Sequence, residues 1–237
     1  MHAMVQRMRA RMGGWTLGVA TLVLLSGCAG PESGPSTQAP RDGAALYVKS
    51  GCAQCHGAQA EGLQAAQGPR LGGREDWFIR RQIEEFQRRE RGRDDSKETG
   101  YLPPEGRTQF MHPVVDRLGG RDIRALAAHL AGLEPPPLPP SKLGDASRGR
   151  ALYAGCAECH GLSAEGNESL RAPRLSGQHD WYLFAQLRDF RMGWRGADSA
   201  DPHVKLMRSR LDLDDQALRD LAAYLATQPR IPAAAGR

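Results

Sequence analysis

Two short runs of residues carry the side chains best suited to chemistry. The motif Cys-x-x-Cys-His occupies residues 52–56 and returns at residues 156–160. Two thiols three positions apart on a helical turn can reach both vinyl groups of one porphyrin, and the adjacent imidazole then faces the iron. The sequence therefore predicts two covalently bound haem c groups. The predicted attachment and iron-binding residues are Cys52, Cys55 and His56 in the first motif and Cys156, Cys159 and His160 in the second.

The cysteine count argues against other uses of these thiols. The chain has five Cys, and only Cys28 lies outside the two motifs. A disulfide framework would leave one thiol over in an oxidising compartment, and a zinc site would usually combine both pairs into one Cys₄ cluster. A single motif could be a thiol redox pair, but two motifs at equivalent places downstream of an export signal favour haem.

Three methionines are candidates for the second iron ligand, because the others all lie near the N-terminus. Met111 and Met207 each come about 14 or 15 residues before the matching Leu of a predicted closing helix, whereas Met192 has no counterpart and is expected to pack in the core. A thioether ligand raises the reduction potential and closes the iron to other ligands. We predict Met111 and Met207 as axial ligands. His112 and His203 are the competitors, which would give bis-His haems.

A proline follows each of the two motif histidines at the same spacing. Pro69 lies 13 residues after His56, and Pro173 lies 13 residues after His160. A metal-bound His normally donates its second ring N–H to a nearby acceptor, and a backbone carbonyl at these prolines would serve. An ordinary turn proline explains the same pattern, so both interpretations stay open.

The sequence repeats itself on either side of the Pro-rich residues 135–140. Matching segments follow in the same order: Ala-Leu-Tyr at 45–47 and 151–153, Pro-Arg-Leu at 69–71 and 173–175, and Asp-Trp at 76–77 and 180–181. Apolar residues spaced i, i+3, i+4, i+7 predict closing helices over 123–130 and 218–225, and no segment alternates convincingly with period two. The predicted fold is all-α, with tandem haem domains at 41–134 and 141–237 joined by a Pro-rich linker.

The N-terminal residues predict export. Residues 1–27 have a basic start and an apolar run too short to span a bilayer, as signal peptides do, and they end in Leu-Ser-Gly before Cys28. This run resembles the lipobox of bacterial lipoproteins, where the Cys takes a diacylglycerol. An ordinary cleavage site beside a stray Cys is the alternative. Residues 28–40 are rich in Pro, Ser and Gly and predict a flexible tether.

The charge of the chain does not support nucleic-acid binding. The formal net charge is +5, and three of the arginines lie in the predicted signal peptide. The four propionates of two haems would cancel what remains. Residues 88–98 mix both signs of charge and are predicted to form a solvated loop.

The two halves resemble class I c-type cytochrome domains, and together they resemble the dihaem cytochrome c4 family over about residues 41–230. The two Cys-x-x-Cys-His motifs, the Pro-Arg-Leu segments, the late Met and the aromatic-rich residues 181–191 carry the resemblance. It implies a periplasmic electron carrier, not an enzyme, that passes electrons from a quinol-oxidising complex to a terminal oxidase or another acceptor. The chain departs from the family in a longer charged loop before Met111 and in its predicted lipid anchor at Cys28.

Two other functional classes remain open on the sequence. A haem subunit of a membrane-bound dehydrogenase would use the same chemistry with a fixed partner. A dihaem peroxidase or a haem sensor needs an open or displaceable iron position, and a Met on each haem argues against it.

We predict that the mature protein begins at a lipid-modified Cys28 and is held on the periplasmic side of a bacterial membrane, inner or outer. Each buried CH₂ of the lipid contributes about 0.8 kcal/mol to membrane binding, so a diacyl anchor with N-acylation suffices. Mass spectrometry of the native protein should find the lipid on Cys28. A soluble species with an unmodified N-terminus at another residue would refute the prediction.

Overall fold

A computed structural model describes residues 41–91, 108–197 and 199–230. The predicted signal peptide and tether therefore lie outside the described residues. Within those residues the regular structure is helical, apart from two isolated β-bridges that each close a short loop. No helix in this part of the chain is long and apolar enough to cross a membrane.

The two halves contain equivalent helices in the same order. The first half has α1 (Gly43–Lys49), α2 (Ala53–His56), α3 (Asp76–Gln87), α4 (His112–Val115) and α5 (Gly120–Ala131). The second half has α6 (Ala146–Leu152), α7 (Ala154–His160), α8 (Asp180–Met192), α9 (Pro202–Ser209) and α10 (Asp215–Thr227). Single turns of 3₁₀-helix occupy Gln64–Ala66 and Thr108–Met111. The fold confirms the all-α prediction and the duplication.

Each half has its own apolar core, built mainly from the apolar stripes of its two long helices. In the first half α3 and α5 supply Ile79, Ile83, Phe86, Ile123, Leu126, Ala127 and Leu130. In the second half α8 and α10 supply Leu183, Leu187, Phe190, Leu218, Leu221, Ala222 and Leu225. The helical periodicity in the sequence therefore predicted the core faces of both closing helices. Met192 is a wrong prediction, because it is 50 % exposed instead of packed in the core.

The opening helix of each half begins at a capping aspartate and crosses the closing helix closely. Asp42 accepts from the amides of Ala44 and Ala45, and Asp145 caps α6 in the same way. The first helical residue, Gly43, lies against the Ala125 carbonyl of α5, and a Cβ at Gly43 would collide with it. The absence of a side chain therefore lets the two helices pack backbone against backbone, which positions the Cys-x-x-Cys-His turn that follows.

A polar interface that the sequence did not predict joins the two halves. Arg91 donates to Gln82 Oε1 at 2.7 Å and to Gln186 Oε1 at 3.1 Å. Its counterpart Arg195 donates to the same two oxygens, and its bond to Gln82 Oε1 is 2.8 Å long. Each guanidinium also stacks on a phenylalanine of its own half: Arg91 lies 4.5 Å from the centre of the Phe86 ring, and Arg195 lies 4.6 Å from the centre of the Phe190 ring. The contacts are nearly two-fold symmetric.

This interface corrects the prediction of a solvated loop at residues 88–98. Arg91 is only 4 % exposed, and its guanidinium donates to Gln82 of its own half and to Gln186 across the interface. Residues 92–98 lie outside the described residues. The linker also contacts the first half: Pro135 is buried beside Gly72, and the Pro136 carbonyl accepts from Arg70.

A fall in pH should destabilise the folded second half, because it protonates Asp220. Its side chain is 3 % exposed and accepts from Arg148 Nε, the Asp145 amide and Gln216 Nε2. The Arg148 contact first, and then the other donors, lower the pKa of Asp220 from 3.8 to about 2. Since the folded pKa lies below the unfolded one, the stabilisation is present above about pH 3.8 and is lost as the pH falls toward 2.

Replacing Asp220 by Asn should therefore lower the free energy of unfolding at pH 7, and the difference from wild type should shrink below pH 4. Denaturant unfolding of the holoprotein, followed by circular dichroism between pH 7 and pH 3, measures it. Asp212→Asn, at an exposed position of the same half, is the control and should change little. An equal loss at pH 7 and pH 3 would contradict the assignment.

Candidate haem sites

Each motif histidine is buried and held by the carbonyl of a proline. His56 ends α2 and is 5 % exposed, and its Nδ1 donates to the Pro69 carbonyl at 2.8 Å. His160 ends α7, is 8 % exposed and donates in the same way to Pro173 at 2.8 Å. Because a carbonyl can only accept, the proton sits on Nδ1 and Nε2 carries the lone pair. This is the tautomer that an iron ligand needs.

Burial lowers the pKa of both motif histidines. For His56 the Pro69 carbonyl opposes this effect. For His160 the Pro173 carbonyl opposes it, and so does the negative charge of Glu75 from the other half of the molecule. Both imidazoles are therefore neutral near pH 7, with Nε2 ready to bind a metal.

The four motif cysteines form two pairs, and none of them is in a disulfide among the described residues. Cys52 and Cys156 are half-buried and contact the apolar clusters, whereas Cys55 is exposed. Burial raises the pKa of Cys52 and of Cys156. No group of three or more His, Cys, Asp or Glu among the described residues could hold a separate metal ion. Each motif histidine therefore has two cysteines within one helical turn of it, as thioether attachment of a haem requires.

A tyrosine that the sequence analysis noted only as part of the repeat supports each histidine turn. Tyr47 is 2 % exposed, and its hydroxyl donates to the Gly57 carbonyl at 2.7 Å, directly after the motif. Tyr153 makes the same bond to Gly161 at 2.7 Å. Burial raises the pKa of both tyrosines, so they stay protonated donors. The signal in the sequence was the Ala-Leu-Tyr segment that recurs before each motif, although Tyr47 lies five residues before Cys52 and Tyr153 lies three before Cys156.

Each predicted axial methionine packs half-buried against the core of its own half. Met111 ends the 3₁₀ turn before α4 and Met207 lies within α9. His112 instead bonds through Nε2 to the Arg91 carbonyl at 2.8 Å, and His203 is exposed. These contacts favour the methionines over the two histidines, and the axial role of Met111 and Met207 stays a prediction.

A cluster of four arginines between the halves fits the carboxylates of haem. Burial lowers the pKa of Arg70 and of Arg174 to about 10, and repulsion by neighbouring guanidiniums contributes. Both remain charged at pH 7. The Nε atoms of Arg70, Arg74 and Arg230 are buried without a hydrogen-bond partner in the part of the chain that the structure describes. Buried cations with unused donors suit propionates, of which two haems carry four.

The chain matches the family model described as Cytochrome c twice, at residues 40–134 and 146–229. It is 29 % identical over 200 residues to the thiosulfate dehydrogenase electron acceptor of Stutzerimonas stutzeri strain A1501, covering 77 % of this chain and 85 % of that protein. It is 28 % identical over 219 residues to cytochrome c4 of Azotobacter vinelandii, covering 84 % and 93 %.

A solved structure of thiosulfate dehydrogenase (TsdBA) from Marichromatium purpuratum is also similar. It aligns with a TM-score of 0.62 at 30 % identity, over 79 % of this chain and 40 % of that one.

The chain thus belongs to the cytochrome c family. Two matched domains, the paired histidine turns and the cytochrome c4 relatives define a dihaem class I c-type cytochrome that resembles cytochrome c4 and carries two covalent haem c groups. Like those relatives it is an electron carrier.

Removing the thiols of one motif should remove one haem and leave the other. Cys156→Ala together with Cys159→Ala should lower the haem content from two per chain to one, because thioether attachment in each half uses its own cysteines. Visible spectra of the pyridine haemochrome and intact mass measure this content. The mirror variant, Cys52→Ala with Cys55→Ala, serves as the control. Loss of both haems from either variant would contradict independent attachment of one haem in each half.

Proposed function

We propose that this protein is a lipid-anchored electron carrier on the periplasmic side of a bacterial membrane. It passes single electrons from a quinol-oxidising complex to a terminal oxidase or another acceptor. When bound, each haem supplies an iron that alternates between the ferric and ferrous states. The residues of the chain orient the histidines, fill the opposite side of each site and fix the distance between the two halves.

One observation carries this proposal: both halves present the same types of donor. His56 and His160 are held at 2.8 Å by a proline carbonyl, and one methionine, Met111 or Met207, packs against the core of each half. An enzyme that binds peroxide or a gas needs one iron position that differs from a closed carrier site. Equivalent donor sets in both halves therefore favour a relay over a catalyst.

The interface between the halves supports the relay in a second way. A hydrogen-bonded set crosses it, made of the buried Arg91, Arg195 and Gln186 and the half-buried Gln82. Removing one partner of such a set leaves a buried charge unsatisfied, which is costly. The two sites are therefore held at one separation, which suits transfer of an electron from one to the other within the chain.

A fixed dehydrogenase partner is the second candidate, and the comparisons favour it specifically. One relative is named a thiosulfate dehydrogenase electron acceptor in Stutzerimonas stutzeri and another carries the same name in Thiomonas intermedia. On this alternative the chain accepts electrons from a dehydrogenase that oxidises a small inorganic sulfur anion. A stable complex purified from detergent-solubilised membranes would favour it over the mobile carrier.

Replacing either Met111 or Met207 by Ala should open one iron and leave the other closed. Loss of the thioether should lower the potential of that haem and let it bind carbon monoxide, while the other haem titrates almost as before. Spectroelectrochemistry and carbon monoxide difference spectra measure both effects, and Met192→Ala, at an exposed methionine, is the matched control. If the wild-type protein already binds carbon monoxide at full occupancy or reduces peroxide rapidly, the carrier function is wrong.

A further inference from the structure

The peptide group behind each motif histidine is bonded from across the interface. In the first half, the carbonyl of the Pro69–Arg70 peptide accepts from His56 Nδ1 at 2.8 Å. The N–H of that same peptide group donates to Gln178 Oε1, in the second half, at 3.2 Å. Two hydrogen bonds therefore link the Gln178 amide of the second half, through the Pro69–Arg70 peptide, to the His56 imidazole of the first half.

The second half has the reciprocal chain, with a different terminal group. The carbonyl of the Pro173–Arg174 peptide accepts from His160 Nδ1 at 2.8 Å. The N–H of that peptide donates to Glu75 Oε1, in the first half, at 2.5 Å. The Glu75 side chain is 13 % exposed, and its other oxygen lies 3.7 Å from Arg74 Nη2. One chain thus ends in a neutral amide and the other in a carboxylate.

The difference between a carboxylate and an amide acceptor should change the two iron sites in a definite direction. A carboxylate that accepts from a peptide N–H makes a shorter and stronger bond than an amide does, and it polarises the peptide so that its carbonyl oxygen becomes a better acceptor. A better acceptor on Nδ1 makes the imidazole a more basic ligand, which stabilises ferric over ferrous iron. The negative charge of Glu75 acts in the same direction through space.

We propose that Glu75 is a positioning residue that acts through the Pro173–Arg174 peptide and His160 to hold the potential of the second haem below the value that a neutral acceptor would give. Gln178 is its neutral counterpart for the first haem. The proposal rests on the proposed function in so far as His160 and His56 ligate iron. The carboxylate biases electron transfer within the chain from the second half toward the first.

A reciprocal exchange of the two terminal groups tests this proposal. Glu75→Gln keeps an oxygen acceptor for the Arg174 N–H and removes only the charge. In the full-length holoprotein it should raise the ferrous to ferric ratio of the second haem at fixed ambient potential about three- to tenfold. This is about 28 to 59 mV for a one-electron couple. The reduction potential of the first haem should not change.

Gln178→Glu should do the opposite, lowering the potential of the first haem and leaving the second. The two potentials are measured by following the haem methyl resonances of each haem through a stepwise reduction. The variant lacking Cys156 and Cys159 identifies the resonances of the first half. Gln178 also donates to the Arg70 carbonyl at 3.0 Å, so this variant can lose stability; Glu75→Gln and the charge-retaining Glu75→Asp then carry the test.

Glu84→Gln is the matched control, because Glu84 lies on α3, the helix that Glu75 directly precedes, and its side chain is 50 % exposed. It should shift neither potential beyond error. A Glu75→Gln shift that is equal at both haems, or absent while both haems are retained, overturns the proposal. The measurement needs no redox partner, so a wild-type protein that binds carbon monoxide would end the carrier function without deciding the role of Glu75.

Discussion

The hydrogen bond from each motif histidine to a proline carbonyl is the constraint on which both sites depend. It fixes the tautomer of His56 and His160 and the direction of each Nε2. The rest of each half keeps this bond in place: the tyrosine hydroxyl holds the chain just after the motif, and the opening and closing helices cross closely enough to fix the turn. Because each imidazole is already buried and oriented, with Nδ1 hydrogen-bonded, binding a metal through Nε2 has little further free-energy cost.

The two halves are joined by polar groups, and this gives the interface its specificity. Buried guanidiniums are costly unless they are paired, and Gln82 and Gln186, one from each half, both accept from Arg91 and from Arg195. An apolar contact would tolerate sliding, whereas this set defines one arrangement. The same interface brings Glu75 to the peptide behind His160, which makes the halves structurally equivalent and electrostatically different.

Local sequence predicted the elements well and the surroundings of single residues less well. The closing helices follow from apolar spacing, because a 3.6-residue period places such residues on one buried face. Met192 shows the limit of residue type as a guide: it is apolar, but it lies at the end of α8 and off the stripe formed by Leu183, Leu187 and Phe190, and it is half-exposed. Arg91 shows the converse, since a charged residue in a charged run is buried when a partner across an interface satisfies it.

The sequence by itself determined the chemistry, because thioether attachment and proximal ligation need only residues within one turn of helix, Cys-x-x-Cys-His, and its duplication sets the number of haems. The recurrence of Pro69 and Pro173 pointed to an acceptor but left a turn proline equally open. Only the tertiary structure decided which acceptor stands behind each histidine peptide. Glu75 and Arg174 are 99 positions apart, and no local pattern of charge or hydrophobicity records a contact between residues that meet only when two folded halves pack together.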